Sequence, residues 1–181
     1  MTKNILFKNI WIFLFLILLV LLFLDVSMIF NSVVIEDVSP VNEFDEKSYM
    51  GDWYELARYP NRFEDGCLCA KAQYELKDNY VFVNNTCYKE NTASDIQGKA
   101  FLTKETGVLK VQFFPIIKSD YRVLYVDEFY TQAIVSDNKA KNLWILVRNP
   151  NTMNADYLTN IIKEKGFDET KLIFNDMTYC N

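Results

Sequence analysis

Apolar and polar side chains alternate with a period of two through most of the chain after residue 50, in short runs separated by turn-forming residues. The pattern predicts strands at 53–59, 67–77, 80–88, 96–103, 108–114, 121–126, 131–136 and 143–148. Within the second run, Leu68, Ala70, Ala72, Tyr74 and Leu76 fall on one face, and Cys67, Cys69, Lys71, Gln73 and Glu75 on the other. Turns are predicted at Asp78-Asn79, at Glu105-Thr106-Gly107 and at the link Asp127–Tyr130, while Pro60, Pro115 and Pro150 stop the strands before them. A short helical turn, Asp45–Met50, leads into Gly51-Asp52-Trp53, where glycine lets the chain change direction and the tryptophan anchors the first strand.

Past Pro150 the period changes. Tyr157, Leu158, Ile161 and Ile162 form a helical stripe over 156–165, stopped by Gly166, and Leu172–Phe174 adds a short ninth strand. Eight short antiparallel strands suggest a sandwich or a closed barrel, and a closed eight-stranded barrel has room inside for side chains or one small ligand. The late helix would cover one side of its wall.

The amino-terminal segment is of another kind. Lys3 and Lys8 precede an apolar run from Ile10 to Leu24, the layout of a secretory signal peptide or of an uncleaved membrane anchor. Small residues are poorly placed for cleavage near Asp25-Val26-Ser27 and Phe30-Asn31-Ser32, so both readings stand. We divide the chain into a signal or anchor at 1–32, a polar leader at 33–45 and one domain at 46–181, exported to the periplasm or the cell exterior or held on the membrane facing outward.

Composition narrows the function. The net charge is −5; Lys3 and Lys8 against Asp25 leave +1 on residues 1–32 and therefore −6 on the rest, which argues against nucleic acid as a partner. The absence of histidine removes histidine triads, histidine-ligated haem and most zinc sites, and nothing in the sequence calls for a metal or a cofactor. Fourteen Phe, eleven Tyr and three Trp suit a β-fold or an apolar cavity better than a disordered binder. Cys67, Cys69, Cys87 and Cys180 in an exported domain favour two disulfides. Counting back from Asp78-Asn79 puts Cys87 nearly opposite Cys69 or Ala70; it bonds within this hairpin if at all, to Cys67 or Cys69, and the other reaches Cys180.

Three stretches resemble the motifs of one family. Gly51 to Tyr59 is similar to the first lipocalin motif, Asp127–Tyr130 with Ala133-Ile134-Val135 to the second, and Leu143–Arg148 to the third. The likeness runs from about Phe44 to Phe174. Phe63-Glu64-Asp65-Gly66 and Gly98-Lys99-Ala100 resemble most the bacterial outer-membrane and apolipoprotein D-like branches. The resemblance implies an all-β fold: an eight-stranded antiparallel up-and-down barrel of the calycin type, with a C-terminal helix packed outside. It makes Gly51, Trp53, Asp127, Tyr130 and Arg148 structural, with Arg148 stacked on Trp53 at the closed end. It also implies the pairs Cys69–Cys180 and Cys67–Cys87. The bacterial relatives resemble lipoproteins anchored through an amino-terminal cysteine, and no such cysteine exists here.

The expected function is the binding, storage or transport of a small hydrophobic ligand, fatty acid or lysophospholipid-like, in the barrel, with a role in membrane maintenance or stress. Strand parity points Ala72, Tyr74, Leu109, Val111, Phe113, Tyr121, Val123, Tyr125, Ala133, Val135, Trp144 and Leu146 inward, and Phe101, whose face the pattern leaves open, is added. Tyr121 or Tyr125 would meet a polar headgroup near the mouth. No catalytic residue is assigned. One rival is a lipid isomerase or hydrolase on the same barrel, for which Glu55 is the available inward carboxylate. Another is an anchored envelope protein that acts by protein contacts. The oligomeric state is left open.

Overall fold

The computed structural model describes residues 36–152 and 154–180. The signal or anchor expected at 1–32 lies outside them, and among the described residues no helix is long and apolar enough to cross a membrane. Eight strands follow one another: β1 (Gly51–Arg58), β2 (Cys69–Leu76), β3 (Val81–Lys89), β4 (Thr92–Leu102), β5 (Val108–Phe114), β6 (Ile117–Val126), β7 (Gln132–Ser136) and β8 (Leu143–Val147). Each pairs antiparallel with the next, β8 pairs with β1, and β1 pairs with β2, so the sheet closes. Closure leaves no long unpaired edge. A two-residue strand β9 (Ile173–Phe174) adds to the far end of β1, beyond its pairing with β2.

The strand positions follow the alternation, with two extensions. β4 begins at Thr92 and β6 at Ile117, both earlier than expected, because the polar residues of each extension still find partners in the ladder. β2 begins at Cys69, since residues before it belong to the loop after β1.

An up-and-down barrel sorts its connections by end. The links after β1, β3, β5 and β7 lie at one end, the mouth. Those after β2, β4 and β6 lie at the other, the floor. A one-turn helix α1 (Glu46–Tyr49), capped by Asp45, precedes β1 and so belongs to the floor. The leader before it is docked: Asp37 N–H donates to Lys165 O at 2.7 Å and Val41 N–H to Val123 O at 2.9 Å. Helix α2 (Ala155–Glu164) lies outside, where its buried Leu158 and Ile162 pack on Ala57, Leu124, Ile134, Ile145 and Val147.

Candidate functional site

The lumen is the site that the alternation builds. Trp53 faces Ala72, Glu55 faces Leu146, and Arg58 faces Trp144 across the β1 pairings. A bulge at Leu56 reverses the phase of β1, turning Ala57 outward under α2 and Arg58 inward. Two apolar clusters line the inside. The first gathers Tyr49, Trp53, Ala72, Val123, Ala133, Val135 and Leu146, with Tyr74, Tyr121 and Trp144 packed against it. The second gathers Val81, Val83, Ala100 and Leu109, with Val111 and Phe113 against it. Eleven of the expected lining residues thus meet in one interior: Ala72, Tyr74, Leu109, Val111, Phe113, Tyr121, Val123, Ala133, Val135, Trp144 and Leu146.

Two expected residues point elsewhere. Phe101 lies opposite Lys110 on the outer face, between the Tyr80 ring and the Lys118 ammonium 4.3 Å from its centroid, because Ala100 and Leu102 take the inner positions of β4. Tyr125 also faces outward. A bulge between Val123 and Tyr125 shifts the register by one residue, so Tyr125 sits under α2 with its hydroxyl 3.4 Å from that of Tyr157. Tyr121 does face the lumen, but at the floor rather than the mouth: its hydroxyl is 2.7 Å from that of Tyr49 in α1.

The floor is aromatic. Tyr49 packs on Trp53 and Phe44 at 5.0 Å between ring centroids, and Trp53 Nε1–H donates to Tyr49 O at 2.8 Å. The Arg148 guanidinium lies 3.8 Å from the Trp53 ring centroid, a cation–π contact. Its N–H groups donate to Asp52 O and Met50 O at 2.6 Å, to Ser48 O at 3.0 Å and to Tyr130 O at 3.2 Å. One side chain thereby ties α1, β1 and the β6–β7 turn together. Gly51, at φ +95°, leaves no room for more: a Cβ there would stand 3.3 Å from Arg148 Nη1. Asp127 holds the same turn, accepting from Thr131 N–H at 2.6 Å and Gln132 N–H at 2.7 Å.

Above the floor, Tyr121 O–H bridges Tyr49 and Tyr74, at 2.7 and 3.1 Å. Burial pushes all three phenols up, Tyr74 to about 12, so they stay protonated.

The mouth is ionic. Glu55 and Arg58 are each only 4% exposed. Arg58 donates to Glu55 Oε1 at 3.0 Å, to Glu64 O and Cys67 O at 3.1 Å, and to Asn175 Oδ1. Asn175 in turn donates to Glu55 Oε1 at 2.9 Å. Glu64 Oε2 accepts from Asn61 and, at 3.1 Å, from Trp144 Nε1–H. Burial, then the Glu64 charge beside it, raises the Glu55 carboxyl well above the usual carboxylate range, against the pull of Arg58. The loop at 59–68 and the tail are therefore fastened to one buried group of charges. Sequence reasoning found Glu55 but not Arg58, Glu64 or Asn175; a bulge hides the first, and long-range packing brings the others.

The cysteines pair as Cys67–Cys87 and Cys69–Cys180, with Cα atoms 5.4 and 5.5 Å apart. The second joins the tail to the start of β2 at the mouth. No group of three or more acidic or cysteine side chains is arranged to hold a metal among the described residues.

A closed eight-stranded barrel with an aromatic floor and an outer helix has the architecture of the calycin type. Residues 44–177 match the family model described as a lipocalin-like domain. The chain is 35% identical over 147 residues to the outer membrane lipoprotein Blc of Vibrio cholerae, covering 77% of this chain and 86% of that one. It is 32% identical over 156 residues to apolipoprotein D of Mus musculus, covering 78% and 82%. Among solved structures, insecticyanin of Manduca sexta shares the fold with a TM-score of 0.63 at 22% identity, covering 80% and 88%. The chain belongs to the lipocalin family.

Proposed function

We propose that the protein is exported and that it binds and carries a small hydrophobic ligand, a fatty acid or lysophospholipid-like molecule, in its barrel. The observation that carries this reading is the lumen itself: an apolar inner wall between a sealed floor and a mouth edged by ionic groups. Each buried methylene contributes about 0.8 kcal/mol, so a long chain binds with few polar contacts. The eleven inward residues named above are the proposed lining, with Trp144 beneath the mouth. The two disulfides and the Blc relatives support placement outside the cytoplasm, in the envelope or beyond it.

An acid–base enzyme on this barrel would draw on Glu55 and Glu64. Their oxygens already accept from Arg58, Asn175, Asn61 and Trp144, which favours binding over catalysis. Displacement of a fluorescent fatty acid tests the proposal. Saturable binding with a change in tryptophan emission that Trp144→Phe abolishes is the expected result. No saturable binding to delipidated protein sinks it.

A further inference from the structure

Four buried side-chain oxygens among the described residues lack a hydrogen-bond partner: those of Asp52, Asn84, Asn85 and Gln132. Register sorts them by face. Asp52 and Asn84 lie opposite Gln73, and Gln132 lies opposite Val147, all on the outside of the wall. Asn85 lies opposite Ala72 on one side and Ile96 on the other, facing the lumen. Its Oδ1 is an acceptor that the folded chain leaves unanswered on the inner face of the wall.

The nearest polar neighbours of Asn85 toward the floor are the phenols. Tyr74 shares its face with Ala72 two residues further along β2, which makes it the diagonal neighbour of Asn85. Such pairs have Cα atoms roughly 7–8 Å apart, a gap that one small polar group can span. The Tyr49–Tyr121–Tyr74 chain makes two hydrogen bonds from three O–H groups, so one hydrogen remains to be donated. With Tyr49 donating to Tyr121 and Tyr121 to Tyr74, that hydrogen falls on Tyr74, the diagonal neighbour of Asn85, and the same strand pair then carries a spare donor and a spare acceptor on its inner face. Ala72, directly across from Asn85, is a small side chain.

We propose that Asn85 and the phenol chain form a polar subsite inside the barrel, which binds the uncharged hydrogen-bonding end of a long-chain amphiphile: an alcohol, a primary amide or a protonated acid. The phenol hydrogen goes to the ligand oxygen, and the ligand O–H or N–H goes to Asn85 Oδ1. An ionised carboxylate fits less well. It can accept from Asn85 Nδ2 but brings no hydrogen for Oδ1, and the burial that raises the phenols opposes a negative charge beside them. The inference rests on the lumen being the binding site and narrows the ligand to one whose leading end is uncharged, a fatty acid entering in its protonated form.

The test is displacement of N-phenyl-1-naphthylamine from full-length, delipidated protein by four probes: tetradecan-1-ol, tetradecanamide, tetradecane and, at pH 8, tetradecanoate. The alcohol and amide should bind about tenfold tighter than the alkane and the carboxylate. Asn85→Leu should remove that preference while leaving alkane affinity unchanged or higher. Asn85→Ala, with circular dichroism to verify the fold, serves if the leucine variant does not fold. A preference that survives in a folded Asn85 variant overturns the subsite, and so does equal affinity for all four probes in the parent protein. If none of the four displaces the fluorophore from the parent, lumen binding itself fails along with the subsite.

Discussion

The two ends of the barrel are closed by different physics. The floor is held by stacked rings and one guanidinium, with Trp53 fully buried and Arg148 spent on four backbone carbonyls. The mouth is held by buried charges and a covalent latch, with Arg58 joining the 59–68 loop to the tail and Cys69–Cys180 fixing that tail to β2. Aromatic packing is insensitive to pH and redox conditions, whereas carboxylates respond to pH and disulfides to redox conditions. For the ligand carrier proposed above, such a division would hold the shape at one end and admit the ligand at the other. Stability should therefore be concentrated below and control above.

The largest expected effect comes from breaking the floor. Trp53→Ala removes a ring that contacts Tyr49 and Arg148 and leaves a cavity among Ala72, Val123 and Leu146. Urea denaturation should show a loss of about 3–5 kcal/mol. A loss below about 1 kcal/mol would mean that the floor is not the stabilising end.

The latch comes next. Cys69–Cys180 closes a loop of 111 residues, against 20 for Cys67–Cys87. Loop-closure entropy then predicts that Cys69→Ala/Cys180→Ala costs about 1.5 kcal/mol more than Cys67→Ala/Cys87→Ala, out of about 2–5 kcal/mol for either. Releasing the tail also frees Asn175 from Glu55 and Arg58, so ligand exchange should speed up in the first double variant and not in the second. Equal exchange rates would remove the mouth's claim to control.

The floor was far more legible than the mouth. Trp53 and Arg148 stand in motifs whose spacing can be read directly, and period-two alternation assigned most lumen residues because a strand has only two faces. The same arithmetic failed where a strand carries an extra residue. Tyr125 was assigned inward because nothing in the composition of Val123-Leu124-Tyr125 announces a bulge. Phe101 failed otherwise: its regular register with Lys110 puts it outside, while smaller Ala100 holds the inner place. Asn85 shares the phase of Val81 and Val83, but in sequence alone a polar residue on an apolar face reads as a break in the pattern rather than as a site. Asn175 was beyond reach: it meets Glu55 across 120 residues of sequence, and only the closed barrel brings them together.

The smallest effect is the most specific to the mouth. The Glu55 carboxyl is raised in the folded protein, first by burial and then by the Glu64 charge, so the folded state keeps a proton that the unfolded chain loses near pH 4.3. By linkage, this contribution to stability is fully present below about pH 4.3 and is lost as pH rises toward and through the raised folded value. Glu55→Gln keeps an oxygen to accept from Arg58 and Asn175 and supplies N–H hydrogens on the other arm, without a proton to lose. The variant should match the parent below about pH 4.3 and become progressively more stable than it as pH rises, whereas Trp53→Phe should shift stability equally at every pH. Parallel stability–pH curves for Glu55→Gln and the parent would show that the Glu55 carboxylate is accommodated in its charged form, and the contrast between an ionic mouth and an aromatic floor would lose its pH dependence.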